Sequence, residues 1–562
     1  MPLDSGDKNL VAESDAREPS IKTVVLDFMR ANKAKMAGYL FFSLATPISN
    51  ILMPHLYGTM ISVINETHTI GPPLLKRFGA IILLWLLVQS FWLGSSALDA
   101  TFIPELKSHI RKYIVEQVLV NFKQDYTEEE TISIIADIIK LPDYVEQVWN
   151  HTRNNLLPMI LLFTFAIAYF TWANPILGAT SIVAVGTFLS LAWKVSTQCV
   201  PKWVEMNEYY KDICSNISDC LGNLLNVYTS NQDAHELAKI KALEQLFVEK
   251  HSGTINCTGN VRVLLNTSYI ILFCGINLVA FWLFSRGKLA LDNLVTVLVI
   301  TLELILKMSS FVTSIDKIFY ELTTIQGIQD SIDALTRRKK APSANTNTQF
   351  IAGDIVVDSI SINYKGRQVL DNFSTVFKEG TRTAIVGEIG SGKTSLINAI
   401  CRLVPYTGTI SIGGVDTKSM SIETLRTNLQ YVPQNPKLFN TTIYENISYG
   451  NGVSKAAVYE ALSKYGLQEL DLDRKVGKFG QHLSGGQRQI TLLLRCLFSP
   501  AAIIVLDEPT SALDYSTKKY IFSILSDLFV GKTVLIVSHD PEMHAFVNQT
   551  LTLTAAESSS GK

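Results

Sequence analysis

The run Gly387-Glu388-Ile389-Gly390-Ser391-Gly392-Lys393-Thr394 sets a lysine and a hydroxyl directly behind three glycines. Glycines at this spacing let successive backbone N–H groups close round phosphate oxygens with no Cβ in the way. The lysine then reaches the β and γ phosphates of a nucleotide, and the Thr394 hydroxyl serves Mg²⁺. The pattern GxxxxGK[ST] carries weight only between a strand and a helix. Here the apolar stretch Thr383 to Val386 precedes it, and a helix is expected to open near Thr394, adding its partial positive charge. A second constellation is Ile503-Ile-Val-Leu-Asp507-Glu508, an apolar strand that ends in two carboxylates. Acids at the end of a buried strand are costly unless paired or near a metal ion. The expectation is that Asp507 lies in the outer shell of Mg²⁺ and that Glu508 polarises an attacking water.

These elements need a domain to hold them, and the composition of the 562-residue chain shows where it lies. Charged residues are 18% of the chain, against about 25% in a typical soluble protein. With 49 basic and 50 acidic side chains the formal net charge is -1, which offers no bulk attraction to nucleic acid. The missing charge is concentrated in Met36 to Asn65, Phe78 to Leu98, Asn154 to Trp193, Val263 to Ser285 and Leu294 to Val312. Crossing a bilayer takes about 20 apolar residues in a helix, which satisfies its own backbone. The third run is about twice that length and is broken by Ala173-Asn174-Pro175, so six spans are expected. Connections after the first, third and fifth are short. Those after the second and fourth (Phe102 to Asn150 and Lys202 to Arg262) are long, polar and helical in pattern. Lys and Arg concentrate in these two connections and at the N-terminal flank, which puts them on the cytoplasmic side, although Lys76/Arg77 and Arg286/Lys288 run against the rule.

Residues Met1 to Ser20 are polar and acidic, unlike a secretory or mitochondrial leader. Ile21, Val24, Val25, Phe28 and Met29 form a helical stripe that suits either a helix on the membrane surface or one packed on protein. Seven cysteines without a CxxC pair argue against a zinc site and a disulfide framework, so free thiols are expected. Arg337 to Lys340 and the polar stretch after it read as a linker. Beyond it, short strands (Ile355 to Ile362, Thr383 to Val386, Leu429 to Val432, Ile503 to Leu506, Val534 to Val537) alternate with helical segments, the texture of an α/β domain with a mostly parallel sheet.

Leu483-Ser484-Gly485-Gly486-Gln487, upstream of the acid-tipped strand, matches in full the signature of the ATP-binding cassette (ABC) family, which the C-terminal part of the chain resembles from Ile351 to about Leu553. By that resemblance, Gln434 in Tyr431-Val-Pro-Gln434 is the glutamine that senses Mg²⁺ and faces the membrane domain. Ser511-Ala-Leu-Asp514 is the D-loop, His539 contacts the γ-phosphate, and Tyr364 stacks on adenine. The nucleotide would rest on Gly387, Glu388, Ile389, Gly390, Ser391, Gly392, Lys393, Thr394 and Ser395. Ser484, Gly485, Gly486 and Gln487 of another subunit would close over it. Thr394-Ser395 inverts the common Ser-Thr order and keeps a hydroxyl at the metal position. Lys478 stands where the family usually has an acid, which puts one contact to the membrane domain in doubt.

Six spans followed by one cassette resemble an exporter-type half-transporter. The expected fold is therefore a membrane all-α domain of six transmembrane helices followed by an α/β P-loop NTPase domain of ABC type. The expected boundaries are a cytosolic segment with a candidate interfacial helix at 1–35, a membrane domain at 36–330, a linker at 331–352, the cassette at 353–557 and a tail at 558–562. The resemblance implies ATP and Mg²⁺ as cofactors, lipid and an unidentified cargo as partners, and a second half-transporter. Intact motifs favour two copies of the same chain. ATP-driven export is the leading reading, with an importer or an ATP-gated channel on the same frame as alternatives. A soluble ABC ATPase acting on nucleic acid is excluded by the apolar spans. Stretches near Ile139 to Tyr144 and Asn231 to Glu236 sit where coupling helices would fall. Glu303 and Lys307, spaced i, i+4 on the sixth span, either line a cavity or pair with each other.

Overall fold

The computed structural model describes residues 20–67, 71–121, 128–337, 349–364, 367–511, 513 and 515–554. They fall into two units that divide near residue 335.

The first unit is helical. After α1 (Ile21–Ala31), the first span comprises α2 (Lys33–Phe42), a short turn, the π-helical segment Ile48–Leu52, and α3 (Met53–Thr67). The other spans lie within α4 (Pro72–Asn121), α5 (Glu128–His151) continued by α6 (Leu157–Ala173), α7 (Pro175–Ser196) continued by α8 (Val200–Gly222), α9 (Asp233–Ser285), and α10 (Leu291–Arg337). Among the described residues, six helical stretches are thus long and apolar enough to cross a membrane. At 1.5 Å per residue, the 50 residues of α4 and the 53 of α9 reach about 75–80 Å, more than twice the thickness of the hydrocarbon core. The long connections are therefore continuations of the spans. Asn174 makes the expected break. Its extended backbone ends α6, and its side chain accepts from the N–H of Ile176 to cap α7.

Two wide π turns, Ile48–Leu52 and Thr152–Leu156, share one sequence cause. Each is followed two residues later by a proline, Pro54 or Pro158. Proline has no N–H for the carbonyl four residues back and its ring crowds that carbonyl. An i→i+5 bond, Met53 N–H to Ile48 O and Leu157 N–H to Thr152 O, moves the chain off the conflict.

The membrane-unit core is built by α6, α7, α9 and α10, with Leu162, Phe170, Phe188, Leu265, Phe273, Val297, Ile300 and Met308 all buried. The α1 stripe packs on protein. Ile21 and Val24 are buried, the Ile21 N–H donates to Gln329 of α10, and Phe28 lies against Phe102 and His109 of α4. Glu303 and Lys307 form no ion pair with each other, and Lys307 is exposed on the helix surface. Ile139 to Tyr144 lies inside the continuous helix α5, with Lys107 pairing to Asp143 and Glu146 there, so no separate coupling helix forms at that stretch. Asn231 falls in a tight turn, with φ of 53°, just before α9.

The expectation of free thiols is corrected at one pair. Cys199, at the start of α8, is bonded to Cys257 of α9, 58 residues away. Helix packing brings them together, and no local spacing announces it. Cys214, Cys220, Cys274, Cys401 and Cys496 are free.

The second unit holds two sheets. β1 (Ile355–Tyr364), β2 (Arg367–Phe377), β4 (Thr407–Ile412) and β5 (Val415–Asp416) form an antiparallel sheet of order β2-β1-β4-β5. β3 (Arg382–Gly387), β6 (Leu429–Val432), β7 (Ile503–Asp507), β8 (Thr533–Val537) and β9 (Gln549–Leu553) form a parallel sheet of order β6-β7-β8-β3-β9. The helix after β3, α11 (Lys393–Ile400), is packed in the core shared by both sheets, with Leu396, Ile397, Ala399 and Ile400 wholly buried. A second core lies around α12 (Gly485–Leu497) and α13 (Tyr515–Leu528). The expected strand Ile355 to Ile362 is β1 of the antiparallel sheet, whereas β2, β4, β5 and β9 go beyond the strands expected from sequence.

One half-buried ion pair tests the packing of the first three spans. Arg153 bonds Asp99 at 2.8 Å and the Ser95 hydroxyl at 2.7 Å, and Tyr39 donates to Asp99 at 2.9 Å. The Arg153 and Asp99 side chains are 13% and 20% exposed. Asp99→Ala strands the guanidinium and should cost about 3 kcal/mol in detergent unfolding, whereas the double variant Asp99→Ala/Arg153→Met should recover most of that loss.

Candidate functional site

Parallel strands deliver their C-terminal ends to one edge, and in this sheet that edge gathers the chemistry. The pairing of Thr383 with Leu535 and of Asp507 with Val537 puts the ends of β3, β8 and β7 side by side. Gly387, Asp507-Glu508 and Ser538-His539 therefore emerge together, although Gly387 is more than 100 residues from the other two segments.

The loop after β3 is shaped by glycine. Gly390 and Gly392 have φ of 85° and 92°, and a Cβ on Gly387 would come within 2.3 Å of the Leu553 carbonyl. Gly392 caps α11. Lys393 is buried and folds back so that Nζ donates to the carbonyls of Gly387 and Glu388, each at 2.8 Å. Ser391 is 1% exposed, and its Oγ has no hydrogen-bond partner. An orphaned hydroxyl and a buried ammonium in one glycine loop fit an anion with several acceptor oxygens. Glu388, Ile389 and Gly390 are exposed on the outside of the loop. Thr394 and Ser395 follow on the first turn of α11.

Asp507 ends β7 and is 3% exposed. Burial is the main influence on its carboxyl and pushes its pKa above the ordinary value, while hydrogen bonds from Thr394 and Tyr431 pull the other way. The Thr394–Asp507 pairing joins the two residues expected to hold Mg²⁺. Tyr431, whose hydroxyl lies 3.4 Å from Asp507 Oδ2, was legible only as a neighbour of Gln434. Glu508 follows with φ of 48°, unusual for a residue with a side chain. Its N–H donates to the Val537 carbonyl at 2.8 Å, so β8 holds the turn. Its carboxylate accepts from Gln434 Nε2 at 2.9 Å and stands 4.0 Å from His539 Nε2. The three residues assigned to catalysis from sequence thus meet at one carboxylate. Asp540, beside His539, is tied to Lys518 at 2.6 Å, which steadies that loop.

The signature forms a different feature. Ser484 caps α12 in a capping box: its hydroxyl accepts from the Gln487 N–H, and Gln487 Oε1 accepts from the Ser484 N–H. Ser484 and Gly485 are exposed, whereas Gly486 packs so tightly that a Cβ would come 2.5 Å from Thr517. The side chain of Tyr364 and residues Ala512 and Asp514 of the D-loop lie outside the described residues.

Residues 370–511 match the family model described as ABC transporter. The second unit is an ABC ATP-binding domain, and the chain has the form of an exporter-type half-transporter, with an N-terminal membrane domain fused to one such cassette. The β-(1→2)glucan export ATP-binding/permease protein of Rhodopseudomonas palustris is 25% identical over 506 residues, covering 86% of this chain and 83% of the relative. The ATP-dependent lipid A-core flippase of Neisseria gonorrhoeae is 26% identical over 379 residues, covering 62% and 60%. A solved bacterial Atm1-family ABC exporter with ATP bound has the same fold, with a TM-score of 0.77, 20% identity and coverage of 93% and 94%. The chain is a multi-pass membrane protein with an ATP-binding domain of the ABC transporter kind.

The burial of Asp507 gives a pH test with a defined sign. A carboxyl with a raised folded pKa carries no penalty in acid and gains one as pH climbs past its ordinary value. Asp507→Asn should therefore melt no lower than the parent at neutral pH without nucleotide, and the difference should shrink as the pH is brought into the acid range.

Proposed function

We propose that two copies of this chain form an exporter in which each cassette binds ATP and the signature of one copy closes on the nucleotide of the other. The observation that carries this reading is the Glu508 carboxylate, held between Gln434 and His539 at the sheet edge that also bears Lys393. The β- and γ-phosphates would displace the Lys393 ammonium from its carbonyl partners and engage the Ser391 hydroxyl and the loop N–H groups. Thr394, Asp507 and Gln434 would hold Mg²⁺, which when bound supplies charge neutralisation at the phosphate oxygens. Glu508 would orient the attacking water and accept its proton, and His539 would hydrogen-bond the γ-phosphate. Tyr364 would stack on the base.

Two features support a paired arrangement. Ser484 and Gly485 leave an exposed helix N-terminus with partial positive charge. Their capping bonds run only within the signature, so they offer the P-loop of the same chain no hydrogen bond among the described residues. Closure of two cassettes over two nucleotides would be transmitted along helices that outlast the bilayer. The cassette would lie on the cytosolic side, where ATP is abundant. The outward direction is proposed from the printed functions of the relatives, and the cargo is unassigned.

Glu508→Gln should reduce steady-state hydrolysis at least 100-fold while retaining ATP binding, the scale of a lost general base. Lys393→Ala should instead weaken nucleotide binding by about 10- to 100-fold, the worth of a charge-assisted bond. Adding Ser484→Arg protein to the Glu508→Gln protein tests the pairing. Two-copy sites predict some recovered turnover in the mixture, since one mixed site draws an intact Glu508 from one chain and an intact signature from the other. Full activity of the chain as a monomer in nanodiscs would overturn the proposal.

A further inference from the structure

The Cys199–Cys257 bond lies where two helices leave the apolar spans. Each cysteine stands five residues, about 8 Å of helix, beyond the charge that closes its apolar run, Lys194 for the fourth span and Arg262 for the fifth. Two further spans, the fifth and sixth, separate this connection from the start of the cassette, so an even number of crossings puts both on one side of the membrane. In the function proposed above that side is the cytosol. Thiol pools there keep cysteines reduced, and a disulfide that does form is usually transient and redox-sensing.

The bond also falls at a break in the helix. α7 ends at Ser196, Thr197–Cys199 forms a single 3₁₀ turn, and α8 starts at Val200. Pro201 has no N–H for the Thr197 carbonyl, which accepts from Val200 instead. A 3₁₀ turn inside a long helix is a hinge geometry. α8 runs about 35 Å past it, so each degree of bend moves its far end by about 0.6 Å. Opposite the break, α9 is unbroken from Asp233 to Ser285. The disulfide therefore ties the last residue of the hinge to a continuous rod. Farther along, Thr254 Oγ1 donates to the Lys202 carbonyl at 3.3 Å and Lys250 pairs with Glu205 at 2.8 Å. These bonds keep α8 on α9 when the disulfide opens, yet they can slip and re-form, which a covalent link cannot.

We propose that Cys199 and Cys257 form a redox switch on the hinge between α7 and α8: the closed disulfide holds the hinge and slows the transport cycle, and the open dithiol lets α8 swing. The proposal rests on the exporter reading for the cytosolic side and for the cycle that is slowed. Closure needs a low-molecular-weight disulfide as oxidant. Cys257 is partly exposed and Cys199 only 2% exposed, so Cys257 reacts first. Its thiol gives a proton to water, and the thiolate attacks one sulfur of the small disulfide, whose S–S bond breaks and releases one thiolate. The Cys199 thiolate, its proton also lost to water, then attacks Cys257 Sγ and expels the second. Two protein thiols thus give up two electrons and two protons, and one small disulfide becomes two thiols. Reduction runs the same steps backwards, with a small thiolate attacking Cys257.

The test uses the full-length protein in nanodiscs with Cys214, Cys220 and Cys274 changed to serine, leaving the buried Cys401 and Cys496 in place. It is equilibrated in buffers of mercaptoethanol and its disulfide that span the range of a cytosolic thiol pool, and peptide mass spectrometry follows the Cys199–Cys257 link. The link should open and close within that range. Opening it should raise steady-state ATP turnover about threefold or more and speed hydrogen exchange at the amides of residues 197–205. Cys199→Ser and Cys257→Ser should each hold both readouts at the open level in every buffer. A link that stays closed throughout is a permanent brace and overturns the switch. So does turnover that is equal in the two states or falls on opening. Failure of the exporter reading shows differently: absence of ATP turnover in every state refutes that reading, while the link titration and hydrogen exchange still decide the hinge.

Discussion

The cassette is arranged around an acid buried at the end of a strand. Asp507 has almost no solvent to share its charge, so the structure surrounds it with what a carboxylate needs: the Thr394 and Tyr431 hydroxyls and, nearby, the Lys393 ammonium. Each comes from a different segment, and only a parallel sheet with β7 beside β8 and β8 beside β3 places their ends together. The next residue, Glu508, pays a conformational cost in its left-handed backbone. Its N–H bond to Val537 and its carboxylate bond to Gln434 hold it there. The left-handed Glu508 and the buried Asp507 stand side by side where the proposed chemistry occurs, and the fully buried strands β7 and β8 behind them supply the rigidity.

The membrane unit obeys a different constraint. With no water to satisfy the backbone, each span must be a helix; Pro104 and Pro142 are carried inside α-helices, whereas Pro54 and Pro158 come with a wide turn two residues earlier. One of the two π turns sits beside the Arg153–Asp99 pair that joins the first three spans, and the other places Ile48, Ile51 and Leu52 along an open apolar groove. The same helices run far past the thickness of a bilayer. A displacement at their polar ends is thus carried by stiff rods rather than by loops, which suits coupling to a nucleotide-driven motion.

Much of this was legible in the residues. The spans announce themselves by absent charge, the break at Asn174 by the Asn-Pro pair, and the nucleotide loop by glycine spacing between strand and helix. Gln434, Glu508 and His539 were assigned together from motifs and do meet at one carboxylate. The antiparallel sheet was less legible. β2 and β4 are largely polar and exposed on one face, and their pairing with β1 depends on partners far along the chain. The α1 stripe was ambiguous because an apolar helix face looks the same whether it meets lipid or protein. Gln329 and Phe102 resolved it.

By itself the sequence determined what has a local cause: helix where hydrocarbon forbids any other backbone, a phosphate loop where glycines remove Cβ atoms, a break where Asn174 precedes a proline. Only the tertiary structure decided what meets what. Cys199 and Cys257 are joined although 58 residues separate them, Tyr431 reaches Asp507, and His55 meets Tyr169 across two spans. The physical reason is range. Backbone geometry and capping act over a few residues and are written in local pattern, whereas side-chain pairing between elements depends on packing angles and register that no short window of sequence contains.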